Sequence, residues 1–530
     1  MKKLLITILA MGLFLSSGCK KFLDVNTNPN APENAAANLY LAPMIHWMVT
    51  SPQFDGRYVG RYTQNWKNIG GTAITTWDRM GYYPASDNGS QIWRDVYWSM
   101  GQNLVDMMNK AEAEQRWDLL GVGYILKAWG WQSLTDLHGE ITIKEAINPA
   151  KTQFSYDTQE FAYQEVQRLL NLAITNLQRT DGGVNAAFLA GGDKIYNGNR
   201  LKWLKYAYAM LAINLNHYSN KAEMYKPLDV IDAVNKSFID NADDALLAYT
   251  STGNDDTNFW GQRRANLQTN ANPPTSFRQT QFIFNLMNGT QFGGVVDPRM
   301  SRMLAPSSDG SYTGLDINVL NFGALTAAKQ PYNLHGYPGP VIVGDPSRYL
   351  FDDKSKMPAI TYAQLQFIKA EAAYKLGDMT TALAAYKNGI SAHIDFVNAR
   401  NSDNVQRPTQ ISAAEKSTFM ASTAIVPTAA NLTLSHIMCQ KYIAQWGWGH
   451  LETWMDMRRY HYTDLDPITG NQVFLGFTPP TSLYEDNGGK LVQRLRPRYN
   501  SEYVWNLPNL KLIGADATDY QTKPLWITQP

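Results

Sequence analysis

The stretch from Ala359 to Phe396 limits most strongly what this 530-residue chain can become. It reads Ala-Glu-Ala-Ala-Tyr-Lys-Leu-Gly-Asp from Ala370 to Asp378, then Met-Thr-Thr-Ala-Leu-Ala-Ala-Tyr from Met379 to Tyr386. Ala370, Ala373 and Ala382 alternate at helical spacing with Tyr374, Leu376 and Tyr386. Gly377-Asp378 interrupts the pattern where two helices must turn back on each other, since glycine ends a helix without a Cβ penalty. Small residues let antiparallel helices approach, and aromatic knobs fill the space between, the pattern of a tetratricopeptide hairpin. One such hairpin cannot bury its own apolar face, so neighbouring helical units are expected. Trp117-x-x-Leu120-Gly121-x-x-Tyr124 matches the opening of another unit.

Helical periodicity also covers Ala35–Val49, Gln91–Lys110, Tyr156–Leu177, Asp193–His217 and Leu432–Tyr460, with Asp157 as an expected N-cap. In the second of these, Trp93, Tyr97, Met100, Leu104 and Met108 share one side and read as core. Gly56–Tyr83 mixes Tyr58, Tyr62, Trp66, Trp77, Tyr82 and Tyr83 with several glycines, so it cannot be one clean helix and part of it is expected to be a loop carrying rings. Periodicity is lost from about 251 to 349, where Pro273-Pro274, Gly293-Gly294 and Gly336-Tyr337-Pro338-Gly339-Pro340 punctuate the chain. A segment of that length predicts functional loops or a small lobe. The expected fold is mostly α: a helical-repeat scaffold (about 35–250 and 355–460) with an irregular, loop-rich lobe packed on it (about 251–354 and 461–530).

The N-terminus has the layout of an export signal: Lys2-Lys3, apolar Leu4 to Leu15, then Ser16-Ser17-Gly18. Cys19 follows in a lipobox-like setting, so residues 1–18 read as a lipoprotein leader, Cys19 as the lipidated mature N-terminus and 19–34 as a tether. The apolar stretch is too short to span a bilayer, and several acyl chains on one residue suffice for stable anchoring. Cys439, the second of the two cysteines, sits in a helical pattern and reads as a small buried apolar residue. Net charge is +1, with no basic stripe, which argues against a nucleic-acid partner.

No His-Glu-x-x-His, phosphate loop or Gly-x-Ser-x-Gly pattern is present, so neither cofactor nor metal is expected, and the chain reads as a binding protein and not an enzyme. Asp464-x-Asp466 and Asp255-Asp256 are weak cation candidates, and no pair of carboxylates stands out as a glycosidase pair. Aromatic faces stack on the C–H faces of sugar rings while neighbouring polar groups bond the hydroxyls. Trp66, Trp77, Tyr82 and Tyr83, with Asn65, Asp78 and Arg79 beside them, suit that role. Trp260 and Tyr312 are the candidates for an opposite wall.

Several blocks together resemble the SusD/RagB family of surface lipoproteins in Bacteroidota. They are Cys19-Lys-Lys-Phe-Leu-Asp24, Leu134-Thr-Asp-Leu-His-Gly139, Tyr156-Asp-Thr-Gln-Glu160, Asp193-Lys-Ile-Tyr-Asn-Gly198, Lys202-Trp203, Phe367-Ile-Lys-Ala-Glu-Ala372, Gln440-Lys-Tyr-Ile443, Glu452-Thr-Trp-Met-Asp-Met-Arg-Arg459 and Arg498-Tyr-Asn-Ser-Glu-Tyr503. They occur in the family's order; His138 and Glu140 depart from its Tyr-Gly-Asp stretch. The resemblance implies a tetratricopeptide-like scaffold and a lid over a SusC-like TonB-dependent outer-membrane transporter. It implies capture of an oligosaccharide at the cell surface, or of a peptide in RagB-like relatives. A glycan-degrading enzyme and a pure protein-docking platform are the competing readings.

Overall fold

The computed structural model describes residues 35–83, 85–267 and 276–530. The leader, Cys19 and the tether therefore lie outside the described residues, as do Pro84 and Pro273-Pro274. Ten helices carry the scaffold: α1 Leu41–Tyr62, α2 Gly101–Ala113, α3 Trp117–His138, α4 Gln159–Gln178, α5 Arg200–His217, α6 Pro227–Lys236, α7 Tyr362–Leu376, α8 Met379–Arg400, α9 Leu434–Gln445 and α10 His450–Arg459. Neighbours in sequence pack side by side, α2 on α3, α3 on α4, α4 on α5, α5 on α6, and α7 on α8 and α9. α6 packs on α7, joining the two helical runs, and α10 returns to α1. This is the repeat architecture that the 359–396 pattern demands.

The α7–α8 turn follows the sequence closely. Thr361 caps α7 through Gln364 N, Gly377 takes φ +84° at its end, and Asp378 caps α8 through Thr381 N at 3.0 Å. Ala370, Ala373, Ala382, Tyr374 and Tyr386 are buried, whereas Leu376 lies outside the seam and is exposed. At Gly389 in α8 a Cβ would stand 2.8 Å from the Phe367 ring, so the absence of a side chain sets how close the helices come.

One expectation is refined and one changes. The ring-rich stretch after Gly56 begins as helix, because α1 runs on to Tyr62, and becomes loop after Asn68. Gly56, Gly60 and Gly81 are points of close approach, a Cβ at Gly60 meeting the Trp66 indole at 2.7 Å, whereas Gly70 and Gly71 take positive φ in open space. Thr158, not Asp157, caps α4. Asp157 instead accepts hydrogen bonds from Ile143 N and Lys144 N, both at 2.9 Å, and so fixes the connection after α3.

Strands are few and short. β1 (Trp66–Asn68) pairs antiparallel with β3 (Phe277–Gln279), Trp66 opposite Gln279; β2 (Ala245–Leu247) pairs antiparallel with β4 (Met357–Ile360), with a register shift at Ala245/Leu246. The first pair ties residues 277–279 to the chain that follows α1, and the second brings residues 245–247 beside 357–360. Cys439 is fully buried in α9.

Candidate functional site

The rings singled out from sequence go to two places, and most of them go inside. Trp66, Trp77 and Trp260 have 0% exposure. Trp66 packs on Trp260 at 4.7 Å, His450 at 4.5 Å and Phe277 at 5.7 Å between centroids. Trp77 lies among Tyr58, Tyr62 and Tyr82. Asp78 is buried in a two-pronged ion pair with Arg61, at 2.8 and 3.1 Å. Tyr82 is buried with its hydroxyl on the Asn88 carbonyl, and Tyr312 is half-buried with its hydroxyl on that of Ser301. Only Tyr83, at 43%, presents a ring to solvent. A sugar needs an uncovered face to stack on, so Trp66, Trp77 and Trp260 are core and do not form the two expected walls. Gly60 and Gly81 beside them mark tight packing, while Gly70 and Gly71 lie in the expected loop.

An open aromatic cleft of about 660 Å³ lies elsewhere, between the segment before α2, the connection after α3 and the C-terminal tail. It forms because the chain from Asp95 to Met100 is a π-helical turn, a distortion frequent at functional sites. The buried Asp95 carboxylate fixes that turn, accepting from Ser51 Oγ (2.5 Å), Gln91 Nε2 (2.9 Å) and Ser99 Oγ (2.8 Å). Asp55 holds the start of the segment through Gln91 N and Ile92 N, both at 3.0 Å. Burial pushes the Asp55 carboxyl up to about 7 despite these two donors.

Trp98 stands on this turn, 70% exposed, with the Arg94 guanidinium 4.5 Å from its ring centroid. Trp93 and Tyr97 form the floor, 5.1 Å apart, and the Tyr97 hydroxyl donates to the Thr142 carbonyl at 2.7 Å. Ala146, Ile147, Asn148 and Pro149 make a second side. The tail closes the third with another π-helical turn, Tyr499–Tyr503, which brings Arg498, Ser501 and Glu502 to the cleft. Tyr156 donates to Glu502 at 2.5 Å and Asn506 donates to it at 2.9 Å, so this carboxylate is already engaged. Phe154 N donates to Asn506 Oδ1 at 3.0 Å, seaming the two sides together; Trp505 beside it is 71% exposed. Gln102, Asn148, Arg94 and Arg498 supply polar groups around an apolar floor, the composition of a small-molecule site.

Sequence reasoning marks Arg498–Tyr503 for the resemblance but not as a site, and it does not mark Trp98. The available signal was position: Trp98 falls one residue off the Trp93, Tyr97, Met100 stripe and so must leave the core. Among the described residues no three His, Cys, Asp or Glu side chains converge to hold a metal. His450 bonds Asn65 and His461 bonds Asp464 instead. Asp466 accepts from Tyr374, Leu434 N and Ile468 N.

Comparison with known proteins decides the family. Residues 29–476 match the SusD-like family model described as "starch-binding associating with outer membrane". The chain belongs to the SusD-like family. A SusD/RagB protein from Bacteroides thetaiotaomicron resembles this SusD-like protein over 93% of this chain and 99% of its own, at 21% identity and a TM-score of 0.69. A chitin-binding SusD homologue from Flavobacterium johnsoniae covers 93% and 98%, at 20% identity and a TM-score of 0.64. A further chitin-binding protein matches over 93% and 100%, at 19% identity and a TM-score of 0.70. At these identities the likeness carries the fold alone. No curated protein matches the chain. Among the described residues no helix is long and apolar enough to cross a membrane.

Proposed function

We propose that this SusD-like protein captures an oligosaccharide in the Trp98 cleft and serves nutrient uptake at the outer membrane. The observation that carries the reading is an indole left 70% exposed beside a guanidinium, above an aromatic floor with amide and guanidinium groups around it. Such a platform stacks on a sugar ring and bonds its hydroxyls. The family description and the two chitin-binding relatives support a carbohydrate ligand. Glu502 is the one carboxylate among the residues lining the cleft, and two are required across a glycosidic bond for the usual hydrolysis, which favours binding without catalysis. The finer reading places the protein on the cell surface through acylated Cys19, acting as a lid over a SusC-like TonB-dependent transporter; it rests on the sequence resemblance.

The test is titration of chitin, starch and xylan oligosaccharides into the mature chain and into Trp98→Ala. Binding of one series, weakened about ten-fold or more in the variant with unchanged helical signal, is the expected result. Binding unaffected by the variant moves the site elsewhere. Binding of peptides and of no glycan overturns the carbohydrate reading in favour of RagB-like capture.

A further inference from the structure

Behind the Trp98 cleft a second cavity of about 320 Å³ opens between α2 and α3. Ala146 and Ile147 line both spaces and so separate them. Ile147 keeps a positive φ of 59°, which a β-branched residue rarely adopts. Its Cδ1 would stand 3.4 Å from a Cβ at Gly101, an ordinary contact distance, so the partition lies beside the start of α2.

Leu104, Met108 and Leu126 make the chamber apolar, and two polar groups on α3 stand out against them. Lys127 forms no ion pair or hydrogen bond among the described residues, and burial lowers its ammonium below the usual lysine range, Glu165 opposing. Trp131 is nine-tenths buried, and its indole N–H has no acceptor there. A buried donor without an acceptor is uncommon and calls for a partner. Residues four apart share one face of a helix, so Lys127 and Trp131 both border the same apolar space.

We propose that this chamber is a second binding site, for a carboxylate with an apolar body: a medium-chain fatty acid or an aryl acid. The acid group takes the Lys127 ammonium and the Trp131 N–H, and the hydrocarbon lies against Leu104, Met108 and Leu126. A neutral alcohol of the same length fits the apolar space but leaves the charge unanswered, so the site discriminates by its anion.

Isothermal titration of the mature protein with decanoate, cinnamate and decanol tests this, beside Lys127→Met and Trp131→Phe, which keep the apolar bulk. Decanoate or cinnamate is expected to bind, about ten-fold or more weaker in Lys127→Met and weaker in Trp131→Phe, with decanol indifferent to both. Which of the two acids binds tells an alkyl from an aryl ligand. Val105→Trp, which places a ring in the chamber from its half-buried rim, is expected to abolish binding of all three. No binding of either acid at millimolar concentration overturns the proposal, as does equal affinity of the native protein and Lys127→Met. None of these readouts depends on a sugar occupying the cleft.

Discussion

Removing the Trp66 ring leaves a void among Trp260, Phe277 and His450, because no part of its surface faces water. Trp66→Ala should therefore cost about 3–5 kcal/mol in urea unfolding. Trp98→Ala should change stability by about 0.5 kcal/mol or less, since its ring touches mostly solvent, while it removes ligand binding. A destabilisation of equal size in both would sink this division of roles. The contrast shows how far single residues are legible in sequence. A side chain on a clean helical stripe, such as Met100 or Leu104, reads correctly as core. Trp66 does not, since its neighbours are Gly60 in sequence and Trp260 from nearly two hundred residues on, and the pairing of β1 with β3 is what buries it. Trp98 was hidden for the opposite reason. Its exposure follows from a π-turn fixed by Asp95 and Ser51, a contact between segments that no local pattern announces.

The hairpin of α7 and α8 sits at the legible end of the range, because everything that shapes it is within forty residues. Its two glycines act through different physics, which separates them experimentally. Gly377 is needed for its left-handed backbone, and a Cβ there would meet nothing within 4 Å, so Gly377→Ala should cost about 1 kcal/mol. Gly389 is needed for contact, and Gly389→Ala drives a methyl into Phe367, at a cost of about 1–3 kcal/mol. Paired thermal melts would test this, with Phe367→Leu expected to rescue the second variant and leave the first unchanged. The cleft lies at the other end. Its sides come from segments near residues 95, 147 and 500, and each reads alone as part of a helix, a turn or a tail. Even the Asp157 carboxylate, predicted as a helix cap, turns out to hold the connection that lines the cleft.

At the scale of the whole molecule, the scaffold is tied together by buried charge. Arg459 of α10 pairs with Glu371 of α7 at 2.7 Å and with Asp456 at 2.6 Å, while Lys441 of α9 reaches Glu452 and Asp456. The chain continues to His217 of α5, whose Nε2 lies 3.0 Å from Glu452, and to Asp136 of α3 and Tyr163 of α4. Six helices thus share one network, and breaking a member leaves a charge unpaired away from water. His217 makes the network sensitive to pH. Burial lowers its pKa, but Glu452 and Asp136 together outweigh burial and hold it at about 9. The folded state therefore keeps a proton that the unfolded chain releases near 6.5, so the stabilisation is full below 6.5 and is lost as pH rises through about 9. The difference corresponds to roughly 3 kcal/mol. Melting temperature should fall between pH 7 and about 9.5 in the native protein. In Glu452→Gln it should start lower and fall less steeply, because the partner that raises the imidazole is gone. Parallel slopes in the two proteins would mean that His217 is neutral in the fold and that the network ends at Glu452.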